Sequence, residues 1–228
     1  MNETFSLRET VRVLLAENRD DLREIAIVVS VRTSSESREV VAQLAAKEPG
    51  LIWVHTQTLP YIGGALQEAF ERVCGRYTVL MASDLETDPH LVASLIAKIR
   101  SSKADIVTAS RWQSAGRFSG YNPLKLGFNW LFQRLMSMVF STRLSDVTYA
   151  YRIFRTDVLG EVRWEELKHP FLLETMVKPL RLGRVATEIP VTWNRRVEGE
   201  SQMTLPTYWG YLRIAFRTRF RRPAASRR

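Results

Sequence analysis

Short apolar runs rich in β-branched residues, alternating with longer segments of helical periodicity, predict an α/β fold with a mainly parallel central sheet covered on both faces. Residues 25–31, 51–55, 77–82 and 104–109 are those runs, and Ile, Val, Leu and aromatic side chains make them buried strands. Between them, residues 6–16, 36–47, 63–73 and 90–100 carry helical spacing. After Arg111 the rhythm breaks into a Gly/Ser/Asn-rich stretch, 114–123, followed by an apolar helix over 124–140. On that helix Lys125, Asn129 and Gln133 recur every fourth residue on one face, while residues such as Phe128, Trp130, Leu131 and Phe132 cover the rest. The segment is too short and too interrupted to span a bilayer; it suits a membrane interface or burial against the sheet. Strands over 148–154 and 185–193 come next, then an amphipathic stretch over 208–220. With no repeat, low-complexity segment or linker, the chain reads as one domain, 1–220, followed by a basic tail, 221–228.

Composition narrows the class of function. The 228 residues are 45% hydrophobic and 25% charged, which excludes a disordered or collagen-like chain. A single cysteine, Cys74, can make neither an internal disulfide nor a cysteine-based zinc site, as is usual in a reducing compartment, so a cytosolic location is expected. No signal-peptide pattern opens the sequence, and no apolar run reaches the roughly 20 residues of a spanning helix. Net charge is +9, but seven arginines and no carboxylate fall between residues 213 and 228, so basicity belongs to the end of the chain. A terminal cluster suits anionic lipid, or a solubilising tail, better than nucleic acid, for which the sequence has no stacking, helix-turn-helix or zinc signature.

Ligands of open α/β sheets bind beyond the carboxyl ends of the strands. The run at 77–82 leads directly into Ser83-Asp84-Leu85-Glu86-Thr87-Asp88-Pro89, which places three carboxylates in one tight turn. Oxygen ligands on such a turn can hold Mg²⁺ or Mn²⁺ and leave positions for phosphate oxygens. The same residues also read as a helix start, with Thr87 or Asp88 as cap and Pro89 in the first turn.

This sequence resembles the family 2 glycosyltransferases of the GT-A (Rossmann-like) fold, in particular the dolichol-phosphate mannose synthase-like branch. Ordered blocks along nearly the whole chain carry the likeness: Asn2-Glu3, Gly63-Gly64-Ala65, the acidic turn, Ala104-Asp105-Ile106-Val107 with Ser110-Arg111, Leu144-Ser145-Asp146-Val147-Thr148 with Tyr151-Arg152, Glu188-Ile189-Pro190-Val191, and Arg196-Val197-Glu198-Gly199-Glu200-Ser201. The resemblance implies that Asp84 is the second aspartate of an Asp-x-Asp metal motif and that Glu86 is a further metal ligand, with Ala82 in place of the first aspartate. It implies that Arg111 and Arg117 contact the donor diphosphate or acceptor phosphate. Arg196 and Ser201 match a later phosphate-binding loop, in which Gln202 replaces the usual lysine. Glu174, in Phe171-Leu172-Leu173-Glu174, matches the region of the base in relatives with hydroxyl acceptors, while Asp146, Thr148 and Arg152 also suit a buried network.

From the resemblance follows transfer of a hexose from a nucleotide sugar to a polyprenyl-phosphate or other lipid-linked acceptor, with inversion, at the inner face of the cell membrane. An acceptor phosphate is anionic at neutral pH and attacks without a base. A hydroxyl acceptor, with Glu174 near the base, is the alternative; a noncatalytic member is another, since Ser30-Val31-Arg32 stands where the family usually has paired aspartates. Membrane attachment is expected through 124–140, the arginine tail or a membrane subunit. The family's Asn-Glu pair follows a first buried strand, and here only Met1 precedes it. A sheet without that strand, in a truncated or late-start chain, is therefore expected, with two neighbouring strands left unpaired and an open donor pocket.

Overall fold

A computed structural model describes residues 2–113, 123–192, 198 and 205–221. In chain order its main elements are α1 (Phe5–Asn18), β1 (Ile25–Val29), α2 (Ser35–Lys47), β2 (Ile52–Thr56), α3 (Tyr61–Phe70), β3 (Tyr77–Leu80), α4 (Val92–Ser101), β4 (Ile106–Ser110), α5 (Pro123–Val139), β5 (Arg152–Arg155), α6 (Thr156–Glu161), α7 (Phe171–Arg181), β6 (Ala186–Pro190) and α8 (Leu205–Phe220). The predicted strands and helices are present with their ends shifted by up to four residues, some shorter and some, such as α1 and α8, longer; α6 and α7 are additional.

The strands form two sheets. β1 and β2 pair in parallel, with Ile25 opposite Ile52 and Val29 opposite Thr56. The other sheet has the order β3-β5-β4-β6. Within it β4 and β6 are parallel, whereas β5 runs antiparallel to both β3 and β4, so this sheet is mixed rather than mainly parallel. The cause is the connection from β4, which passes through α5 and brings the chain back to the carboxyl ends of β3 and β4 before β5 starts. β5 therefore descends between two strands that rise.

Each sheet has its own packing. Leu7 and Val11 of α1 and Val40 and Val41 of α2 bury Ile27 and Val29 of β1. Leu95 and Ile99 of α4 pack on Val107 and Ile153, and α7 and α8 cover the opposite face of the mixed sheet around Phe154, Phe171 and Ile214. α1 packs on α4, and α3 touches both β1 and α7, so helices join the two halves. Gly63 and Gly64 explain their own block: a Cβ on Gly63 would lie 2.4 Å from the Glu166 carbonyl oxygen, and one on Gly64 2.6 Å from the Leu59 Cβ. Close approach, not a special backbone angle, demands glycine there.

α7 is buried from Phe171 to Pro179, including Glu174 and Lys178, which lie at helical spacing on its polar stripe and pair with each other. α5 divides its surface. Gln133 and Met136 point inward, while Phe128, Leu131, Leu135 and Met138 are exposed. The polar face thus docks on the protein and an apolar stripe faces outward.

Candidate active site

The acidic turn leaves the carboxyl end of β3, as the sequence predicts. Thr87 Oγ1 donates to the Ala82 carbonyl at 2.8 Å and closes the turn, while Glu86 N donates to Asp84 Oδ1 at 3.0 Å. Leu85 sits at φ +60°, a left-handed conformation costly for a branched side chain, and these bonds hold it there. Asp88 accepts from His90 N at 3.0 Å and caps the single 3₁₀ turn Pro89–Leu91 that leads into α4. The helix-start and metal readings thus fall on different residues. Asp88 caps; Asp84 and Glu86 line a cleft of roughly 3650 Å³ between the two sheets.

Arg111 follows β4 directly and lines the same cleft. Its Nε and Nη2 donate to Asp146 Oδ2 at 2.7 Å and Oδ1 at 3.1 Å, a two-pronged grip that fixes the guanidinium plane. The guanidinium also lies over Tyr149, whose ring centre is 4.6 Å from the guanidinium carbon. Asp146 is fully buried and also accepts from Thr148 N and Tyr149 N. Gln133 of α5 donates to Thr148 Oγ1 at 2.6 Å and accepts from Val147 N at 2.9 Å, which explains the inward polar face of that helix. Arg152, wholly buried, donates to the Val147 and Tyr149 carbonyls and to Thr175 Oγ1; burial lowers its pKa to about 10. Asp146, Thr148 and Arg152 are thus a buried network that supports Arg111.

Two tyrosines that the sequence reading did not single out for the site connect this network to the acidic turn. Tyr149 Oη donates to the Glu86 carbonyl at 3.0 Å and Tyr151 Oη to the Asp88 carbonyl at 2.6 Å. Burial pushes both phenols well above their ordinary range, so both keep the proton they donate. Tyr149 therefore touches both charged parts of the site: its hydroxyl holds the turn and its ring supports Arg111. The signal available in sequence was only its place in the strand predicted over 148–154, between two parts of a family block.

The carboxylates fit an octahedral cation in chemistry and number. Among the described residues no group of three or more His, Cys, Asp or Glu side chains forms a closed metal cage. Two carboxylates from one turn, open to a large cleft, match the way Mg²⁺ is shared between one or two protein carboxylates and substrate phosphates.

Other expected residues fall elsewhere. Glu174 is fully buried on α7, with Lys178 Nζ 2.7 Å from Oε1 and the amides of Glu165 and Glu166 donating to Oε2. It does not line the cleft. Arg117, Arg196 and Ser201 lie outside the described residues. Between the last two, Glu198 accepts from Thr4 N, Ser6 N and both hydroxyls, and so caps α1 across the molecule. Burial opposes its ionisation, but these donors prevail and lower its pKa to about 2. Glu68 of α3 does the same for the loop after β2, accepting from Thr58, Leu59 and His55, and is likewise lowered to about 2 against the cost of burial.

The architecture is that of GT-A glycosyltransferases, and solved structures share the fold. Glucosyl-3-phosphoglycerate synthase from Mycobacterium tuberculosis, in complex with Mn²⁺, uridine diphosphate and phosphoglyceric acid, is similar with a TM-score of 0.70 at 12% identity, over 96% of this chain and 75% of that one. The sequence profile of glycosyl transferase family 2 matches residues 1–163. The chain belongs to that family and is a glycosyltransferase of its dolichol-phosphate mannose synthase-like branch. It is 26% identical over 208 residues to the undecaprenyl-phosphate mannosyltransferase of Micrococcus luteus, covering 88% of this chain and 85% of the relative. It is also 23% identical over 228 residues to the dolichol-phosphate mannosyltransferase of Pyrococcus furiosus, covering 94% of this chain and 61% of that protein.

Proposed function

We propose that the protein transfers a hexose from a nucleoside-diphosphate sugar to a polyprenyl-phosphate or other lipid-linked acceptor, with inversion at the sugar. The observation that carries this reading is the convergence of Asp84, Glu86 and Arg111 on one cleft, with Tyr149 holding both sides. Relatives named for undecaprenyl-phosphate and dolichol-phosphate support the acceptor class.

Asp84 and Glu86 would hold Mg²⁺ or Mn²⁺, which would neutralise the diphosphate as it leaves. Arg111, fixed by Asp146 and supported by Tyr149, is set to hold phosphate oxygens without reorganising during the reaction. Arg117, Arg196 and Ser201 are proposed partners of the donor or acceptor phosphates. A phosphate acceptor needs no proton removed, which accords with Glu174 being committed to Lys178 and two backbone amides.

The acceptor lies at a membrane surface, and two helices support docking there. α5 exposes Phe128, Leu131, Leu135 and Met138, and α8 exposes Trp209, Leu212, Phe216 and Phe220, each at helical spacing. Neither helix contains a carboxylate, and the rings of Phe132 and Tyr211 meet at 6.0 Å where the helices adjoin. Among the described residues no helix is long and apolar enough to cross a membrane. A peripheral location on the cytoplasmic face, with or without a membrane subunit, completes the proposal.

The test is incubation with labelled nucleotide sugars and membrane lipid, followed by extraction into organic solvent. Label in the lipid phase that mild acid releases is the expected sugar phosphodiester. Acid-stable label would identify a hydroxyl acceptor, and no metal-dependent donor binding at all would overturn the transferase assignment of this site.

A further inference from the structure

The segment before α7 brings a second set of polar groups to the cleft, apart from the acidic turn and Arg111. Glu166, Lys168 and His169 all line it. Phe171 N donates to the Lys168 carbonyl at 3.0 Å and Leu172 N to the His169 carbonyl at 3.1 Å, while Gly63 N, at the start of α3, donates to the Leu167 carbonyl at 2.7 Å. Both side chains are therefore presented from a backbone held on two sides, which suits recognition better than a loose loop does.

His169 is oriented by Tyr211 of α8, whose Oη lies 2.8 Å from Nδ1. Tyr211 is 4% exposed, and burial raises its pKa far above the ordinary phenol range although Arg111 and Arg152 pull it down, so it keeps its proton. A phenol has one hydrogen to donate, and among the described residues His169 is its hydrogen-bond partner. Tyr211 thus donates to Nδ1, which fixes the ring hydrogen on Nε2, on the far side of the imidazole from Tyr211. The influence of Arg111 on the same phenol places His169 one side chain away from the arginine of the site.

Lys168 is exposed on the cleft and, among the described residues, its amine has no carboxylate partner. It lies 5.5 Å from the ring centre of Tyr61, a residue at φ +63°, a left-handed conformation costly for an aromatic side chain. The adjacent carboxylate is Glu166, which accepts from the Lys168 amide at 3.0 Å and pairs with Arg213 of α8 at 2.7 Å. Its charge is answered by Arg213, so the Lys168 amine remains an available cation beside a fixed hydrogen-bond donor.

On the sugar-transfer reading of the cleft, on which this rests, we propose that Lys168 and His169 form a subsite for the phosphate monoester of the acceptor, the ammonium supplying charge and His169 Nε2–H a directed hydrogen bond to one phosphate oxygen. The oxygens of a phosphate dianion only accept, so a cation next to a fixed donor selects them, whereas a hydroxyl acceptor needs a group that takes its hydrogen. The donor diphosphate has its own partners in Arg111 and the acidic turn, which follow β4 and β3. Lys168 and His169 stand instead beside α8, where the exposed Tyr208 and Trp209 also line the cleft. A phosphate carried on a lipid along α8 therefore meets them before it meets the donor. Both residues hold the nucleophile and neither removes a proton from it. Tyr211, which acts through His169, is a positioning residue.

One test needs no turnover. The chain has three histidines, so ¹⁵N-labelled imidazoles give a spectrum that His169→Gln assigns. Farnesyl phosphate, a short polyprenyl phosphate, is expected to shift the His169 Nε2 signal and leave those of His55 and His90 unchanged; farnesol, which lacks the phosphate, is expected to shift none. Inorganic phosphate should reproduce the shift only at higher concentration. If it binds as tightly as farnesyl phosphate, the subsite is one for free phosphate and the acceptor assignment falls; it also falls if nucleotide with Mn²⁺ moves His169 and farnesyl phosphate does not. In transfer assays Lys168→Gln and His169→Phe should each raise KM for the lipid phosphate about tenfold or more with KM for the donor unchanged. His169→Gln, whose amide can replace Nε2–H, should recover most of that loss, and Tyr211→Phe, which frees the ring, should fall between. Unchanged acceptor KM in variants that melt like wild type, or equal rises for both substrates, would overturn the proposal. Absence of transfer by wild type with every donor would count against the transferase reading instead, and the spectra would still decide the subsite: a shift with farnesyl phosphate supports it and no shift removes it.

Discussion

At the residue scale, the site depends on how two carboxylates and one arginine are held. Asp84 is 8% exposed on a turn, and its carboxylate accepts the Glu86 amide, so its side chain contributes little to the apolar core. Asp84→Asn is expected to lower transfer by about a hundredfold or more while leaving the melting temperature nearly unchanged, because the loss is of cation binding. Wild-type activity of this variant in saturating Mg²⁺ or Mn²⁺ would remove the metal assignment. Tyr149→Phe tests the connection between turn and arginine. It deletes the bond to the Glu86 carbonyl but keeps the ring under Arg111, so about 1 kcal/mol, or roughly fivefold in kcat/KM, is expected. A weaker apparent metal affinity distinguishes positioning of the turn from general destabilisation; an unchanged metal titration would deny Tyr149 that role. Asp84, Glu86 and Arg111 were legible in sequence because each follows a strand at the end where ligands bind. Tyr149 was not, because its partner Glu86 is 63 residues away and only the antiparallel return of β5 brings them together.

At the scale of elements, alternation of apolar runs located the strands, since β-branched residues concentrated in buried strands mark them whatever their direction. Direction itself was not legible. The antiparallel β5 depends on the long route through α5, and nothing local in Arg152–Arg155 encodes it. α7 is different: Glu174, Lys178 and Arg181 recur at helical spacing against an apolar remainder, so the local pattern was present in the sequence although the sequence reading did not use it. Long-range carboxylates that anchor helices and loops also lay beyond local pattern. Glu198 caps α1 from far along the chain, and Glu68 ties the loop after β2 to α3. Both have folded pKa values of about 2, below the roughly 4.3 of an unfolded glutamate. Depressed values mean that the folded state binds fewer protons, so their stabilisation is complete above about pH 5 and is lost as pH falls toward 2. Thermal melts of wild type should decline steeply over that window, and Glu68→Gln should be less stable at pH 7 with a shallower decline. Parallel pH profiles of the two proteins would contradict the assignment.

At the scale of the molecule, the proposed membrane contact combines the arginines at the end of the sequence with the exposed apolar residues of α5 and α8, and the two would act over different ranges. The basic excess is concentrated from residue 213 on, whereas the exposed side chains Phe128, Leu131, Leu135 and Met138 of α5 and Trp209, Leu212, Phe216 and Phe220 of α8 are uncharged. Arginine attraction to anionic lipid is worth about 1 kcal/mol each near the surface and is screened within a Debye length, about 30 Å at 0.01 M salt and about 3 Å at 1 M. Burial of aromatic and aliphatic side chains has no comparable dependence on salt. Removing residues 221–228, with four arginines, should therefore weaken binding to anionic vesicles strongly at low salt and little at high salt. Replacing Trp209 and Phe216 by serine, both exposed and hence tolerable to the fold, should weaken binding at either salt concentration and to neutral vesicles as well. Cosedimentation across a salt series separates the two contributions. Equal binding by both variants and wild type at every salt concentration would take the membrane contact away from this face of the molecule.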